Sequence, residues 1–163
     1  MYCMANMGTS LFSKAEAMCR SKNAKLPVPK NLKENTDLVF ELKKIGIYPD
    51  HFLGHHPIIL GISDSVKGWT KGKLSTIINF LCFKGKWYDN DGNKLNFTNW
   101  SAGQPNNAKS PQDYAAIHSN AGTWGDYQDD PTKYGWKMGV AICLQELSAA
   151  SGKLISRLVL MNR

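Results

Sequence analysis

The sequence lacks an apolar run long enough to cross a membrane. Its longest one, at residues 77–83, is far below the roughly 20 residues that a membrane-spanning helix requires. Residues 1–12 also lack the basic start and the apolar stretch of about 7 to 15 residues that mark a secretory signal. We therefore expect a chain with a mature or trimmed N-terminus and no membrane-spanning helix.

Acidic residues are scarce: the chain has 13 aspartates and glutamates and 20 lysines and arginines, which gives a formal net charge of +7. Such a surplus supports solubility and also attracts polyanions such as sulfated glycans or acidic surfaces. The lysines are scattered, and no nucleic-acid-binding motif accompanies them. The sequence therefore argues against DNA and RNA as partners.

Cysteine is also sparse, with four residues at Cys3, Cys19, Cys82 and Cys143. They neither occur at short spacing nor lie beside histidines, so we expect disulfide bonds rather than a structural zinc site. Disulfides persist in oxidising surroundings, which predicts an extracellular, secreted protein. The two consecutive glycosylation motifs at Asn96 and Asn99 agree with secretion.

The length of 163 residues suits one domain. The segment Ser13–Glu16 matches a capping box and predicts the start of a first helix. A second helix is predicted from Asn31, with Leu38 and Leu42 on one face, until Gly46 ends it. We therefore expect two amphipathic helices in the first 46 residues.

After Tyr48 the pattern changes, because glycine, asparagine, proline and tryptophan recur with few helical periods. Residues 58–62 are predicted to form a buried strand, and the alternation within 139–147 predicts another. The second half is therefore expected to consist of loops and short strands.

Several short motifs follow one another along the chain. They are Ala24–Pro29, Leu60–Asp64, Gly85–Tyr88, Leu95–Trp100, Gly103–Asn106, Trp124–Asp126 and Ile142–Cys143. Their types and order resemble C-type lectin-like domains, closest in texture to the carbohydrate-recognition domain of mannose-binding collectins. The resemblance covers roughly residues 2–147, and its specificity lies in the ordered series rather than in one motif.

The resemblance implies an α+β C-type lectin-like fold, with two helices flanking short antiparallel sheets and a long loop region. It implies a domain at residues 1–147, in which 71–83 is an insertion, followed by a C-terminal tail at 148–163. It also implies that Cys19 is bonded to Cys143. The function implied is recognition, not catalysis.

The chain departs from the family pattern at a second disulfide, which pins the binding loops in relatives. Tyr114 stands where one of its cysteines belongs. Packing of Trp124 and Trp136 is one way in which the loops could be held instead. Cys3 and Cys82 are left over, and three outcomes stay open: they pair together, pair with another chain, or stay free.

In sugar-binding members of the family, side-chain oxygens hold a calcium ion, and vicinal sugar hydroxyls bind both the ion and those side chains. The resemblance implies calcium as the cofactor and a cis-proline at Pro105. The ligand positions that it assigns to this chain are Gln104, Asn106, Gln112, Gly125 and Asp126, with Asp113 as a substitute for Gln112. Of these, Gln104, Asn106 and Asp126 are the predicted metal ligands.

Only Asp126 among the predicted metal ligands is an acid, so we expect weak calcium binding, toward the millimolar end of extracellular sites. The motif Gln104–Pro105–Asn106 is a hybrid of the mannose-type and galactose-type patterns. Each amide can donate or accept a hydrogen bond, so the motif leaves the sugar preference open. A second calcium site would have Asp64, but Gly68 and Asn107 replace acids there.

The sequence thus predicts an extracellular module that binds carbohydrate or a glycoprotein with weak or atypical calcium assistance. The alternative is a calcium-independent module for a protein or polyanionic ligand such as a sulfated glycan. Basic residues beside aromatic ones are the candidates for binding such a polyanionic ligand. They are Lys71, Lys73, Lys84, Lys86, Phe80 and Phe83.

Two further hypotheses concern histidines. His51, His55 and His56 suggest a metal cluster, but Gly54 and Pro57 argue against a helix that would align the first two. His118 could form a nucleophilic dyad with a free cysteine, but no neighbouring motif orients either partner. We therefore expect no enzymatic activity.

Overall fold

A computed structural model describes residues 2–5, 11–49, 57–64, 86–107, 112–128, 140–144 and 158–160. This part of the chain contains two helices and six strands. In chain order they are β1 (Tyr2–Ala5), α1 (Phe12–Ser21), α2 (Leu32–Lys44), β2 (Ile58–Ser63), β3 (Tyr114–Ile117), β4 (Trp124–Tyr127), β5 (Val140–Leu144) and β6 (Leu158–Leu160). Within these ranges no helix has the length and apolarity needed to span a membrane. The predictions on Cys82, on the three histidines at 51–56 and on the insertion at 71–83 lie outside the described residues.

Both predicted helices are present, and they differ in how they begin. Asn31 caps α2, because its side chain accepts a hydrogen bond from the backbone N–H of Glu34 at 2.9 Å, and the Glu34 carboxylate accepts the N–H of Lys30 at 3.0 Å. The capping box predicted at Ser13 is wrong: a cap there would start α1 at Lys14, whereas α1 begins two residues earlier, at Phe12, with no side-chain cap. Burial of Phe12, rather than a cap, accompanies this earlier start.

The six strands form one sheet in the order β4-β3-β2-β5-β1-β6. Three pairs are antiparallel, namely β1 with β5, β2 with β3 and β3 with β4. The pairs of β2 with β5 and of β1 with β6 are parallel. The α+β class is confirmed, but the sheet is mixed rather than wholly antiparallel. Strand β6 lies within the predicted C-terminal tail, and the boundary at 147 stays a prediction.

Strand β2 divides the core into two clusters. Ile58, Leu60 and Ile62 pack in the cluster that contains Leu42 of α2 and Trp124 of β4. The intervening Ile59 packs in a second cluster with Phe12 and Cys19 of α1. Successive side chains of a strand point to opposite faces, so one buried strand serves both clusters.

The disulfide between Cys19 and Cys143 is present, which confirms the prediction. It joins α1 to β5 across 124 positions of sequence, with the two Cα atoms 5.1 Å apart. Both cysteines are fully buried in the second cluster. The bond thus ties the first helix to the centre of the sheet.

We predict that replacing Cys19 and Cys143 together by alanine lowers the free energy of unfolding by about 4 to 5 kcal/mol, because the unfolded chain gains the freedom of a long open loop. Equilibrium unfolding in urea measures the loss. The wild type in a reducing agent should show a similar loss, and the double variant should not respond to that agent. Equal stability of the oxidised wild type and the variant would contradict the prediction.

Candidate ligand site

The segment that leads to the candidate site is held against strand β4. The backbone N–H of Trp124 donates to the carbonyl of Asn99 at 2.8 Å, and the N–H of Ser101 donates to the carbonyl of Trp124 at 2.9 Å. A turn follows, in which the N–H of Gln104 donates to the carbonyl of Ser101 at 3.0 Å. Backbone bonds therefore fix the start of the predicted ligand motif.

Asn35 of helix α2 supports the same strand from below. It is fully buried, and its Oδ1 accepts a hydrogen bond from Nε1 of Trp124 at 2.7 Å, while its Nδ2 donates to the carbonyl of Gly122 at 3.0 Å. Asn99 donates to the same carbonyl at 2.9 Å. Sequence reasoning missed Asn35, because a polar residue in a helix has no local sign of burial.

Asp126 is the centre of the predicted site, and it is only 3% exposed. Its carboxylate accepts the backbone N–H of Asn106, at 3.2 and 3.1 Å from the two oxygens, and that of Asn107 at 2.7 Å. The side-chain nitrogen of Gln112 donates to the backbone carbonyl of Asp126 at 2.9 Å. The structure thus brings the predicted residues Asn106, Gln112 and Asp126 together.

The other predicted residues lie close by in the chain. The peptide bond between Gln104 and Pro105 is cis, as the resemblance implies. The backbone carbonyl of Asp113 accepts the N–H of Asp64 at 3.1 Å, which links the loop to the end of β2. A Cβ added at Gly125 would lie 2.8 Å from Nδ1 of His118, so a larger residue there would require the His118 ring to shift.

Two amide oxygens at this site have no hydrogen-bond partner among the described residues. They are Oε1 of Gln104 and Oε1 of Gln112, and both atoms are buried. Buried polar atoms in folded proteins are nearly always hydrogen-bonded, so each exception calls for an explanation such as water, an ion or a ligand. Both atoms belong to predicted ligand residues.

The donor set decides how well calcium fits. Calcium takes roughly six to eight oxygen ligands, and carboxylates raise its affinity. Within the described ranges, no group of three or more histidine, cysteine, aspartate or glutamate side chains could hold a metal. The predicted ligands Gln104, Asn106 and Asp126 all offer side-chain oxygens, but only Asp126 offers a carboxylate. Both oxygens of that carboxylate already accept hydrogen bonds from backbone N–H groups. This set fits only a weakly held calcium ion.

His118 lies behind the site, 8% exposed, and it contacts hydroxyl groups. Its Nε2 is hydrogen-bonded to Oγ of Ser101, and its Nδ1 lies 3.2 Å from the hydroxyl of Tyr127. Ser101 also donates to Oγ1 of Thr123 at 2.7 Å. These bonds connect the ligand segment to β3 and β4. A dyad of His118 with a cysteine stays untested, since Cys82 lies outside the described residues.

Most of the basic and aromatic group predicted for a polyanion lies outside the described residues, as does Trp136. Lys86 is described, and it is exposed.

Aromatic packing around Trp124 helps to hold the loops. The ring centroids of Trp100 and Trp124 are 5.7 Å apart, and those of Phe97 and Trp124 are also 5.7 Å apart.

Solved structures of similar fold identify the architecture. The carbohydrate-recognition domain of the mouse scavenger receptor C-type lectin is 21% identical, with a TM-score of 0.61, and the match covers 89% of this chain and 90% of that one. The C-type lectin CEL-I from Cucumaria echinata is 19% identical, with a TM-score of 0.62 and coverage of 87% and 86%. The cow C-type carbohydrate-recognition domain of CD23, crystallised in the presence of a GlcNAc2Man3 oligosaccharide, is 17% identical, with a TM-score of 0.60 and coverage of 90% and 88%.

The chain has the C-type lectin-like fold. No sequence model of a known family matches it. The C-type lectin-like architecture predicted from the order of motifs is therefore confirmed. The match extends over 86% to 90% of the length of these solved domains. At such low identity the likeness concerns the fold alone.

The C-type lectin-like domain also has a partly buried phenol, that of Tyr127, next to Asp126 in the chain. Burial raises the pKa of Tyr127 above the ordinary value of tyrosine, and the charge of Asp126 raises it further. The folded protein therefore keeps this proton over a range of alkaline pH in which the unfolded chain releases it.

We predict that the free energy of unfolding falls as the pH rises above about 10, because the folded state then binds more protons than the unfolded state. Replacing Tyr127 by phenylalanine should make this fall shallower, by up to about 1.4 kcal/mol per pH unit. Urea unfolding from about pH 9 to about pH 11 measures the slope. The surface variant Tyr48→Phe is the control, and an identical slope in all three proteins would contradict the prediction.

Proposed function

We propose that this C-type lectin-like domain is an extracellular, non-enzymatic module that binds carbohydrate at the surface around Gln104, Asn106, Gln112, Asp113 and Asp126, with weak help from calcium. The observation that carries the proposal is the pair of buried amide oxygens, on Gln104 and Gln112, without a hydrogen-bond partner among the described residues. An unpaired buried acceptor is costly, and a ligand that donates to it recovers that cost.

Sugar hydroxyls suit these groups chemically. A hydroxyl both donates and accepts hydrogen bonds, and an amide side chain offers one acceptor oxygen and two donor hydrogens. The side chain of Asn106 is exposed, beside the backbone N–H that Asp126 holds. Because their oxygens are buried, the side chains of Gln104 and Gln112 would rotate toward the surface to accept from a bound sugar, and the exposed Asn106 would contact it directly.

Calcium would be held by Gln104, Asn106 and Asp126. When bound, it would supply a positive centre for the oxygen atoms of vicinal sugar hydroxyls. Since one carboxylate provides the only negative charge of this set, the affinity for the ion should lie near the millimolar end.

We predict that calcium raises the melting temperature slightly and that a chelator reverses the rise, because an ion that binds only the folded state stabilises it. At a concentration of about ten times the dissociation constant the gain is about 1.4 kcal/mol. Asp126→Asn should abolish the response, since it removes the one charge while keeping an acceptor oxygen. Asp91→Asn removes an exposed carboxylate elsewhere and should preserve the response. A full response in Asp126→Asn would place the ion at another site.

We predict that Gln104→Ala weakens binding of mannose- or galactose-terminated glycans by about tenfold or more, because a hydrogen bond to a desolvated acceptor is lost. The stability of the unliganded domain should not fall, since the atom that is removed has no partner among the described residues. Titration calorimetry and thermal melting measure the two quantities. Lower stability with unchanged glycan affinity would assign Gln104 a structural role and oppose the proposal.

A calcium-independent protein or polyanion ligand is the second candidate. Both oxygens of Asp126 already accept backbone N–H groups, which leaves them less available to calcium. The net charge of +7 favours an anionic ligand. Absence of any calcium response, together with retention on heparin that is lost at moderate salt, would support it over the first.

A further inference from the structure

Three residues of the candidate site form a closed ring of hydrogen bonds. The backbone N–H of Asn107 donates to the carboxylate of Asp126 at 2.7 Å. The side-chain nitrogen of Gln112 donates to the backbone carbonyl of Asp126 at 2.9 Å. The backbone N–H of Gln112 donates to the side-chain oxygen of Asn107 at 3.1 Å, which closes the ring.

Asn107 has the backbone conformation that this ring requires. Its φ is +47°, in the left-handed region that asparagine adopts more readily than most other side chains. A left-handed residue can turn successive N–H groups toward one anion, and here the N–H groups of Asn106 and Asn107 both meet the Asp126 carboxylate. Asn107 thus combines a backbone shape, a donor and an acceptor in one residue.

The ring lies in the region where a disulfide holds the binding loops of relatives. Tyr114 occupies the position of a family cysteine, so the second disulfide that pins this region in relatives cannot form there. The carboxylate of Asp126 is buried and charge-assisted hydrogen bonds are the stronger kind, so its N–H partners are well suited to that task.

We infer that Asn107 is the positioning residue of the ligand loop and that, through its ring with Gln112 and Asp126, it orders this loop without any metal ion. Calcium then adds to a loop that is already in place. The inference rests on the proposed function, because the residues that Asn107 positions are those that we propose bind the ligand. Its test uses no sugar.

Amide hydrogen exchange, followed by NMR on the whole chain in a chelator, reports on the ring directly. We expect the amides of Asn106 and Asn107, which donate to a carboxylate, to be protected by about tenfold or more over an unstructured chain. The amide of Gln112 donates to a neutral amide oxygen and should be protected by about threefold or more. Adding about 10 mM calcium, above the millimolar range of weak sites, should change this protection less than about threefold. Protection that appears only with calcium would overturn the inference.

Two variants separate the functions of Asn107. Asn107→Gly keeps the left-handed backbone and the N–H but removes the side-chain acceptor, so protection should fall chiefly at Gln112. Asn107→Ala also disfavours the backbone conformation, so we expect protection to fall at all three sites together, by about tenfold at Asn106 and position 107 and by about threefold at Gln112. Equal protection at Gln112 in the wild type and both variants would overturn the inference.

Asn23→Ala is the matched control, because Asn23 is also left-handed, with a φ of +51° at the end of α1. It imposes the same backbone cost outside the ring, and protection of the three loop amides should stay as in the wild type. A fall in Asn23→Ala as large as in Asn107→Ala would mean that general destabilisation explains both results, and would oppose the inference. A domain that keeps the ring but binds no glycan would refute the proposed function alone.

Discussion

Burial of Trp124 is the constraint on which the rest of the structure depends. The residue is fully buried, and its ring nitrogen would be costly to bury without the hydrogen bond to Asn35. Its backbone pairs with β3 on one side and bonds to Asn99 and Ser101 on the other. Helix α2, the sheet and the ligand segment are therefore fixed to one residue, and Asp126 follows two positions later.

This arrangement explains how a site with few charges can remain ordered. A cluster of carboxylates needs a cation to offset the repulsion between its members. The carboxylate of Asp126 instead accepts hydrogen bonds from the backbone N–H groups of Asn106 and Asn107, which are fixed partial charges of the protein itself. On the proposed function, replacing carboxylates by backbone N–H groups would lower the affinity for calcium and would make the order of the site less dependent on the ion.

Much of the fold could be predicted because its signals are local or covalent. The cap at Asn31 depends on Glu34, three residues away, and the buried strand at 58–62 is a continuous apolar run. The bond between Cys19 and Cys143 was implied by the order of motifs. The start of α1 differs from the prediction because the sequence at Ser13 matches a capping box without forming one, and the helix begins with no side-chain cap.

The pairing of strands shows the limit of such signals. The antiparallel direction expected for the sheet fails for β2 and β5, whose residues are about 80 positions apart in sequence and run parallel. Strand β3 is only four residues long, with Ala115 and Ala116 at its centre, and it carries no alternation to mark it.

By itself, the sequence determined the two helices, the residue types of the candidate site and their poor supply of carboxylates. Only the tertiary structure decided that Asn107, Gln112 and Asp126 share a ring of hydrogen bonds and that His118 lies between Ser101 and Tyr127. The physical reason is that a hydrogen bond requires a particular distance and direction. For residues that lie 5 to 20 positions apart, the path of the backbone determines the distance and the direction between their polar groups, and residue type does not.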